Sequence, residues 1–365
     1  MDRPLTQSEK DASSRAERAL VSFSTAPDPD MEAYASAFKD ARPGVAVVGA
    51  GAVGRALGLR LAEHGYPIRS VVSRTRASAE ALARIVGAPV ASDRLGDVGE
   101  APLVLICASD DAVADIAETL TGARRRWTNT VVAHTSGALP AAVLDPLADE
   151  GARVLSFHPL QTIPRDAPVA LLDDVYVGLE GDPRAVAAGI ELAVRLGMRY
   201  LVLSPEAKAR YHLAATMTSN FAVTLLGMVQ EVLSSLDIGR DEAMALLAPL
   251  LQGTLGTLQA SSPEDALTGP VVRGDLATLR RHGLALREHL PHLVPAYAAL
   301  SVETVRLAVR SGRLDAERAE RVLDLMERMV TIPIPTRPAE PHASDPRSPG
   351  VGRPPVPPRP WPTES

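Results

Sequence analysis

The sequence predicts an α/β protein: a doubly wound, mostly parallel sheet of the Rossmann type, followed by an all-helical domain. Three observations carry this. Short runs rich in Val, Leu and Ile alternate with helix-patterned stretches over residues 44–203, as in parallel sheets covered on both faces. The first run opens into a glycine-rich turn. Beyond residue 204 almost only the 3.6-residue period remains.

In order, strands are expected at 44–48, 68–73, 103–107 and 130–134, with helices at 55–64, 77–86 and 111–120 between them. Further strands follow at 153–157, 174–179 and 200–203. Ser204-Pro205 then marks a helix start, with Ser as N-cap and Pro in the first position. Helices are expected at 207–236, 241–258, 276–289 and 294–311. The organisation is a flexible segment 1–42, a dinucleotide-binding domain 43–204, a helical domain 205–330 and a proline-rich tail 331–365. The tail holds 12 of the 31 prolines, so it is expected to be disordered and extended, either a docking peptide or a solvated end.

Composition narrows the function. A net charge of −6 gives no reason to expect nucleic acid or an anionic membrane as partner. One cysteine, Cys107, leaves no disulfide framework and no cysteine-rich zinc site. No continuous apolar run approaches the roughly 18 residues a bilayer span needs. The first 42 residues carry eight acids and six bases and no apolar core, so no targeting peptide is expected and the location expected is cytoplasmic.

From Val45 the chain reads V-A-V-V-G-A-G-A-V-G, a strand running into G-x-G-x-x-G and a helix. Gly49 permits the tight turn, Gly51 lets backbone approach a pyrophosphate, and Gly54 packs helix on strand, with Ala50, Ala52 and Val53 between them. An NAD site places an acid at the end of the second strand, yet no acid occurs between His64 and Ala79. Ser73, Arg74 and Thr75 stand there instead, a set suited to the 2′-phosphate of NADP with Arg74 as clamp. A charged hydrogen bond of about 1.5–3 kcal/mol corresponds to about a 10–150-fold preference. A flavin or S-adenosylmethionine is the lesser alternative.

Lysine usage is the second signal. The chain holds 35 arginines but three lysines, Lys10, Lys39 and Lys208, so the folded body keeps one. What lysine does and arginine does not is lose its proton, which makes a desolvated lysine a usable general acid. On a helix from Pro205, Lys208, His212 and Ser219 fall within about 60° of one another, with Asn220 at the margin. His212 either polarises the same atom or packs at an interface; Asn220 either touches substrate or bonds between helices.

Three loops follow strands at their carboxyl ends, where such sheets bind ligands. Ala108 and Ser109 run beside the cofactor, Ser109 being equally a helix cap. Ser136 and Gly137 offer a hydroxyl and backbone N–H groups for a carboxylate. His158 follows the next strand, and with His134 it lacks a third ligand for a metal. Arg273, in a turn between helices, either binds a carboxylate or lies on the surface, while Asp275 caps the next helix.

Residues 134–139 (HTSGAL), 156–161 (SFHPLQ), 211–215 (YHLAA) with 219–221 (SNF), and 267–270 (LTGP) with 273–275 (RGD) form a set spanning about 44–329. With these markers the chain resembles the 6-phosphogluconate dehydrogenase, ketopantoate reductase and pyrroline-5-carboxylate reductase superfamily. Within it, the chain is most similar to oxidoreductases with a Rossmann-like domain and a helical domain of undefined function. The resemblance implies NADPH-dependent reduction of a small carboxylated carbonyl or imine, a 2-oxo acid such as ketopantoate first, with Lys208 as proton donor. It also implies a homodimer formed through the helical domain. Members place asparagine four residues after the lysine; here that position is His212. A non-catalytic NADP-binding sensor is the alternative.

Overall fold

The computed structural model describes residues 42–122 and 127–331. The expectations for the N-terminal segment and the proline-rich tail lie outside the described residues. Contacts divide the chain into two units, meeting in sequence at Ser219 and Asn220.

The first unit is built on an eight-stranded sheet in the order β3-β2-β1-β4-β5-β6-β7-β8. Its strands are β1 (Val45–Val48), β2 (Ile68–Val72), β3 (Val90–Ser92), β4 (Leu103–Ile106), β5 (Val131–His134), β6 (Arg153–Pro159), β7 (Tyr176–Gly181) and β8 (Arg199–Val202). Strands β1 to β6 run parallel, β7 turns antiparallel to β6, and β8 runs parallel to β7. The sequence pattern misses only β3, three residues long with Val90 exposed, too short to show a period.

Helices α1 (Ala52–Glu63), α2 (Arg76–Val86), α3 (Asp110–Thr121), α4 (Asp145–Asp149) and α5 (Pro183–Arg195) connect the strands. Alternate strand residues separate two cores. Val45, Val47, Leu105, Leu155 and Phe157 pack with Leu57, Leu82 and Leu192 on one face. Ala46, Val48, Ile106 and Val132 pack with Val113, Ile116, Leu144 and Leu147 on the other. Both faces are covered, so the strands read as unbroken apolar runs.

The helix expected over 207–236 is two helices, α6 (Pro205–Thr218) and α7 (Asn220–Ser234). The break follows hydroxyl chemistry: Thr218 Oγ1 bonds back to Ala214 O, and Ser219 Oγ turns aside to Thr162 Oγ1 at 2.6 Å. Helix α6 belongs with the sheet, so the unit boundary falls beyond the 204/205 border read from the sequence. The reason is that Lys208 and Tyr211 of α6 bond to residues of the sheet and its loops.

In the second unit, α8 (Arg240–Ala260) and α9 (Pro263–Ala266) follow α7, then α10 (Leu276–His289), α11 (Val294–Arg310) and α12 (Ala316–Thr331). The last three share a core of Leu279, Val294, Ala298, Val305, Val322 and Met326. Helix α7 buries no residue and α8 buries only Ala243, although both are rich in Leu, Val and Met. By length and composition the stretch Pro205–Ser234 also passes for a membrane span, with a mean hydropathy of 1.2 over its best window.

Candidate active site

The carboxyl edge of the sheet carries two distinct groups of residues. The first is the turn from β1 into α1. Gly49 has φ +103°, and a side chain there would strike the Cys107 carbonyl. A side chain at Gly54 would strike the carbonyl of Gly49. The fold itself therefore demands both glycines. Gly51 is different: a Cβ there would meet nothing within 4 Å. It caps α1 without any side-chain hydrogen bond, and no acid occupies the first turn. The helix begins with free N–H groups facing an open place, the electrostatic arrangement that receives a phosphate. The turn fits a dinucleotide on these grounds.

Around it, Ser73 is buried and its Oγ accepts from Ala50 N at 3.3 Å, bracing the glycine turn. Thr75 caps α2, accepting from Ser78 N at 3.4 Å. Arg74 between them is exposed and has no ion-pair partner among the described residues, whereas Arg76 pairs with Glu80 at 2.9 Å. Of the three, Arg74 alone keeps its polar groups uncommitted. Ala52 and Val53 open α1, half-buried, and Ala108 is half-buried after β4. Ser109 holds the N-cap position of α3 but its hydroxyl makes no cap bond. Burial pushes the Cys107 thiol up to about 12, so it is inert at neutral pH.

The second group centres on Lys208, which is 1% exposed. Its Nζ donates to Ser136 O at 3.0 Å and to Ser156 Oγ. An ammonium has three N–H donors, so one remains. Burial lowers the amine to about 8, partly offset by the carboxylates of Glu180 and Asp110. The polar stripe on α6 thus turns its lysine into the sheet edge, not into water.

The strands set this environment by register. His134 of β5 pairs with Ser156 of β6, which pairs with Glu180 of β7. Paired residues share a face, so a polar row crosses three adjacent strands. His134 Nδ1 accepts from Ser136 N at 3.2 Å, which leaves Nε2–H for Pro140 O. Burial, with the Lys208 charge second, pushes His134 down to about 4. The same causes bring His158 to about 4. Both imidazoles are neutral at physiological pH.

His158 Nδ1 meets Tyr211 OH at 3.2 Å, and the Tyr211 ring lies against Gly178, where a Cβ would come within 2.9 Å of it. Desolvation raises this phenol to about 12. His212 stands edge-on to His158 with ring centroids 6.0 Å apart, and its buried Nδ1 has no hydrogen-bond partner among the described residues. Gly137 makes room for both: a side chain there would meet His158 Nε2 at 2.8 Å and His212 Nδ1. The Ser136 hydroxyl accepts from Ala138 N and Leu139 N, at 3.2 and 3.0 Å, and so holds the turn. Ser219 closes α6 and bonds to Thr162.

Asn220 and Arg273 lie in the second unit. Asn220 is exposed and opens α7; Arg273 is exposed in the turn before α10, where Asp275 accepts from Thr278 N at 3.0 Å as helix cap. An apolar cavity among Leu105, Ala133, Leu155, Phe157, Gly189 and Leu192 lies on the opposite sheet face from Lys208, within the core. No group of three metal-ligating side chains occurs among the described residues.

Ser156, Glu180, Tyr211 and Asp110 were not singled out from the sequence as functional. Two had a signal: Ser156 and Glu180 each put a polar side chain at an inward position of a buried strand, where an apolar one is the rule.

Comparison with known proteins agrees with this architecture. Residues 26–159 match a Rossmann-like domain, and residues 175–304 match a domain of unknown function, DUF2520. No curated relative matches the sequence. A Bacteroides fragilis protein, designated a candidate NADP oxidoreductase, is 25% identical with a TM-score of 0.62, covering 72% of this chain and 97% of its own. A Thermotoga maritima protein is 25% identical with a TM-score of 0.60, covering 72% and 99%. An imine reductase from Myxococcus stipitatus, solved with NADP+, shares the fold at 17% identity and a TM-score of 0.54, covering 77% and 100%. The chain thus matches a Rossmann-like domain in its first part and a DUF2520 domain in its second, in that order.

Proposed function

We propose that this protein is an NADPH-dependent reductase of a small carbonyl or imine compound carrying a carboxylate. One observation carries the reading: the body's single lysine is buried at the carboxyl edge of the same sheet that bears the glycine turn, its amine held by Ser136 O and Ser156 Oγ. The candidate NADP oxidoreductase from Bacteroides fragilis and the NADP+-bound imine reductase support the cofactor class.

Gly49, Gly51 and Gly54 with the N-terminus of α1 hold the diphosphate, and Arg74 holds the 2′-phosphate. Bound reduced nicotinamide supplies a hydride. Lys208 gives its remaining N–H proton to the oxygen or nitrogen that gains charge, then recovers a proton from solvent. An amine near 8 suits this work at neutral pH, where the acid form dominates and transfer remains easy. His134 is locked as the neutral Nε2–H tautomer and serves as a wall. His212, with its uncommitted Nδ1, orients the substrate. Gly137, His158 and Ser219 of the first unit supply the remaining substrate contacts.

NADPH oxidation over a panel of 2-oxo acids, ketopantoate first, and cyclic imines tests this. Turnover with at least one, lost in Lys208→Ala while NADPH still binds, supports it. Binding without turnover throughout favours a sensor.

The apolar faces of α7 and α8 support a homodimer through the helical domain. Val223 is 68% exposed and Leu250 67% exposed, and burying such side chains yields about 1.5–3 kcal/mol each. Sedimentation of wild type, Val223→Glu and Leu250→Glu should give dimer, monomer and monomer. A monomeric wild type that dissolves only with detergent would place this face in a membrane.

A further inference from the structure

We propose that Glu180 is the positioning counter-charge of Lys208, holding the amine as a fixed ammonium while leaving its last N–H free. This rests on reading Lys208 as the proton donor.

A neutral amine is no acid, and burial favours the neutral form. Something must hold the proton on Lys208. The groups that face it come from every surrounding element. On β5 and β6, His134 and His158 are neutral imidazoles. On its own helix, Tyr211 keeps its phenolic proton, and His212 carries no negative charge to offer. At the start of α3, Asp110 is a carboxylate, but an exposed one facing water. On β7, Glu180 is 4% exposed.

Geometry favours Glu180. It stands directly opposite Ser156 in the β6–β7 register, and Ser156 Oγ is the atom that receives the Lys208 Nζ. Opposed residues on one face have Cβ atoms about 4.5–5.5 Å apart, so Glu180 stands directly beside the residue that receives the amine. The carboxylate is anchored: Oε2 accepts from Ala141 N at 2.7 Å, at the start of the Ala141–Leu144 turn.

The indirect arrangement has a chemical point. A direct ion pair would take up the third N–H. A charge set one side chain away lends its field through a low-dielectric interior, where it is weakly screened, and leaves that N–H for substrate.

The test uses the intact chain labelled with [ε-13C]lysine. Three lysines give three signals, and Lys208→Arg assigns one. In Glu180→Gln, which keeps the volume and an acceptor for Ala141 N, the Lys208 titration midpoint should fall by about one pH unit or more. The alkaline limb of the pH–rate profile should fall with it. A folded Glu180→Gln protein with an unmoved midpoint overturns the proposal.

Two further measurements leave Glu180 intact, in case that variant does not fold. Asp110→Asn should move the midpoint by only a few tenths, and raising salt to 1 M should hardly move it, because salt screens exposed charges and not buried ones. A full-unit fall in either makes Asp110 the counter-charge and overturns the assignment to Glu180. The titration needs no substrate, so its outcome is separate from whether the protein proves to be a reductase.

Discussion

The glycine turn and the lysine cluster lie on the edge of one sheet, yet they are built in opposite ways. The turn is open: Gly51 borders empty space, Arg74 has no ion-pair partner among the described residues, and α1 begins without a side-chain cap. The cluster is closed: Lys208, His134, Ser156 and Glu180 are all at most 4% exposed and hydrogen-bonded. Open polar groups bind what arrives. Closed ones have their ionisation set in advance. The difference assigns recognition to the turn and reaction to the cluster, and it is broken by any variant that crosses the two effects.

The largest effect is expected at Lys208. Lys208→Met should cut turnover by about 10²–10⁴-fold, the range of general acid catalysis, with the Kd for NADPH unchanged by titration of cofactor fluorescence. Loss of binding and turnover together would merge the two regions into one.

The closed cluster should also answer to pH in a way the turn does not. His134 falls from its ordinary 6.5 to about 4 in the folded protein, first through burial and then through Lys208. Between those values the unfolded chain binds more protons than the native one, so stability is complete above about 6.5 and is lost as pH falls towards 4. One buried imidazole accounts for roughly 3 kcal/mol by pH 4. Urea midpoints at pH 7 and pH 4.5 should show the fall, and His134→Asn should shrink it. An equal fall in that variant would shift the cause elsewhere.

How much of this was legible in the sequence follows the same division. The turn is local: Gly49 to Gly54 and Ser73 to Thr75 are contiguous motifs, each flanked by its strand, and the alternation of strands with helices marks a mostly parallel sheet. Lys208 was legible through its rarity and the helix start at Ser204-Pro205. Its surroundings were not. The row His134–Ser156–Glu180 exists only after β6 and β7 pair antiparallel, a long-range register that no local pattern encodes. The break at Ser219 was missed for a related reason, since it depends on Thr162, far away in sequence.

Within the open turn, Arg74 should set cofactor choice. Arg74→Glu should raise the KM for NADPH about 10–150-fold, the worth of one charged hydrogen bond, with little change for NADH. Equal change for both would leave the 2′-phosphate to other groups.

The smallest effect sharpens the comparison most, because it separates ligand from fold inside a single turn. Gly49 answers to the protein: at φ +103°, against the Cys107 carbonyl, it admits no side chain. Gly51 answers to nothing in the protein. Its φ of −75° and ψ of −167° suit any residue, and a Cβ there touches no atom. Gly51→Ala should therefore leave stability within about 1 kcal/mol of wild type. It should still weaken NADPH binding about tenfold, because the methyl occupies the space where backbone and diphosphate must meet. Calorimetry of Gly51→Ala beside wild type decides it: a stable variant that binds NADPH as tightly as wild type would mean the open place beside α1 receives something other than a dinucleotide.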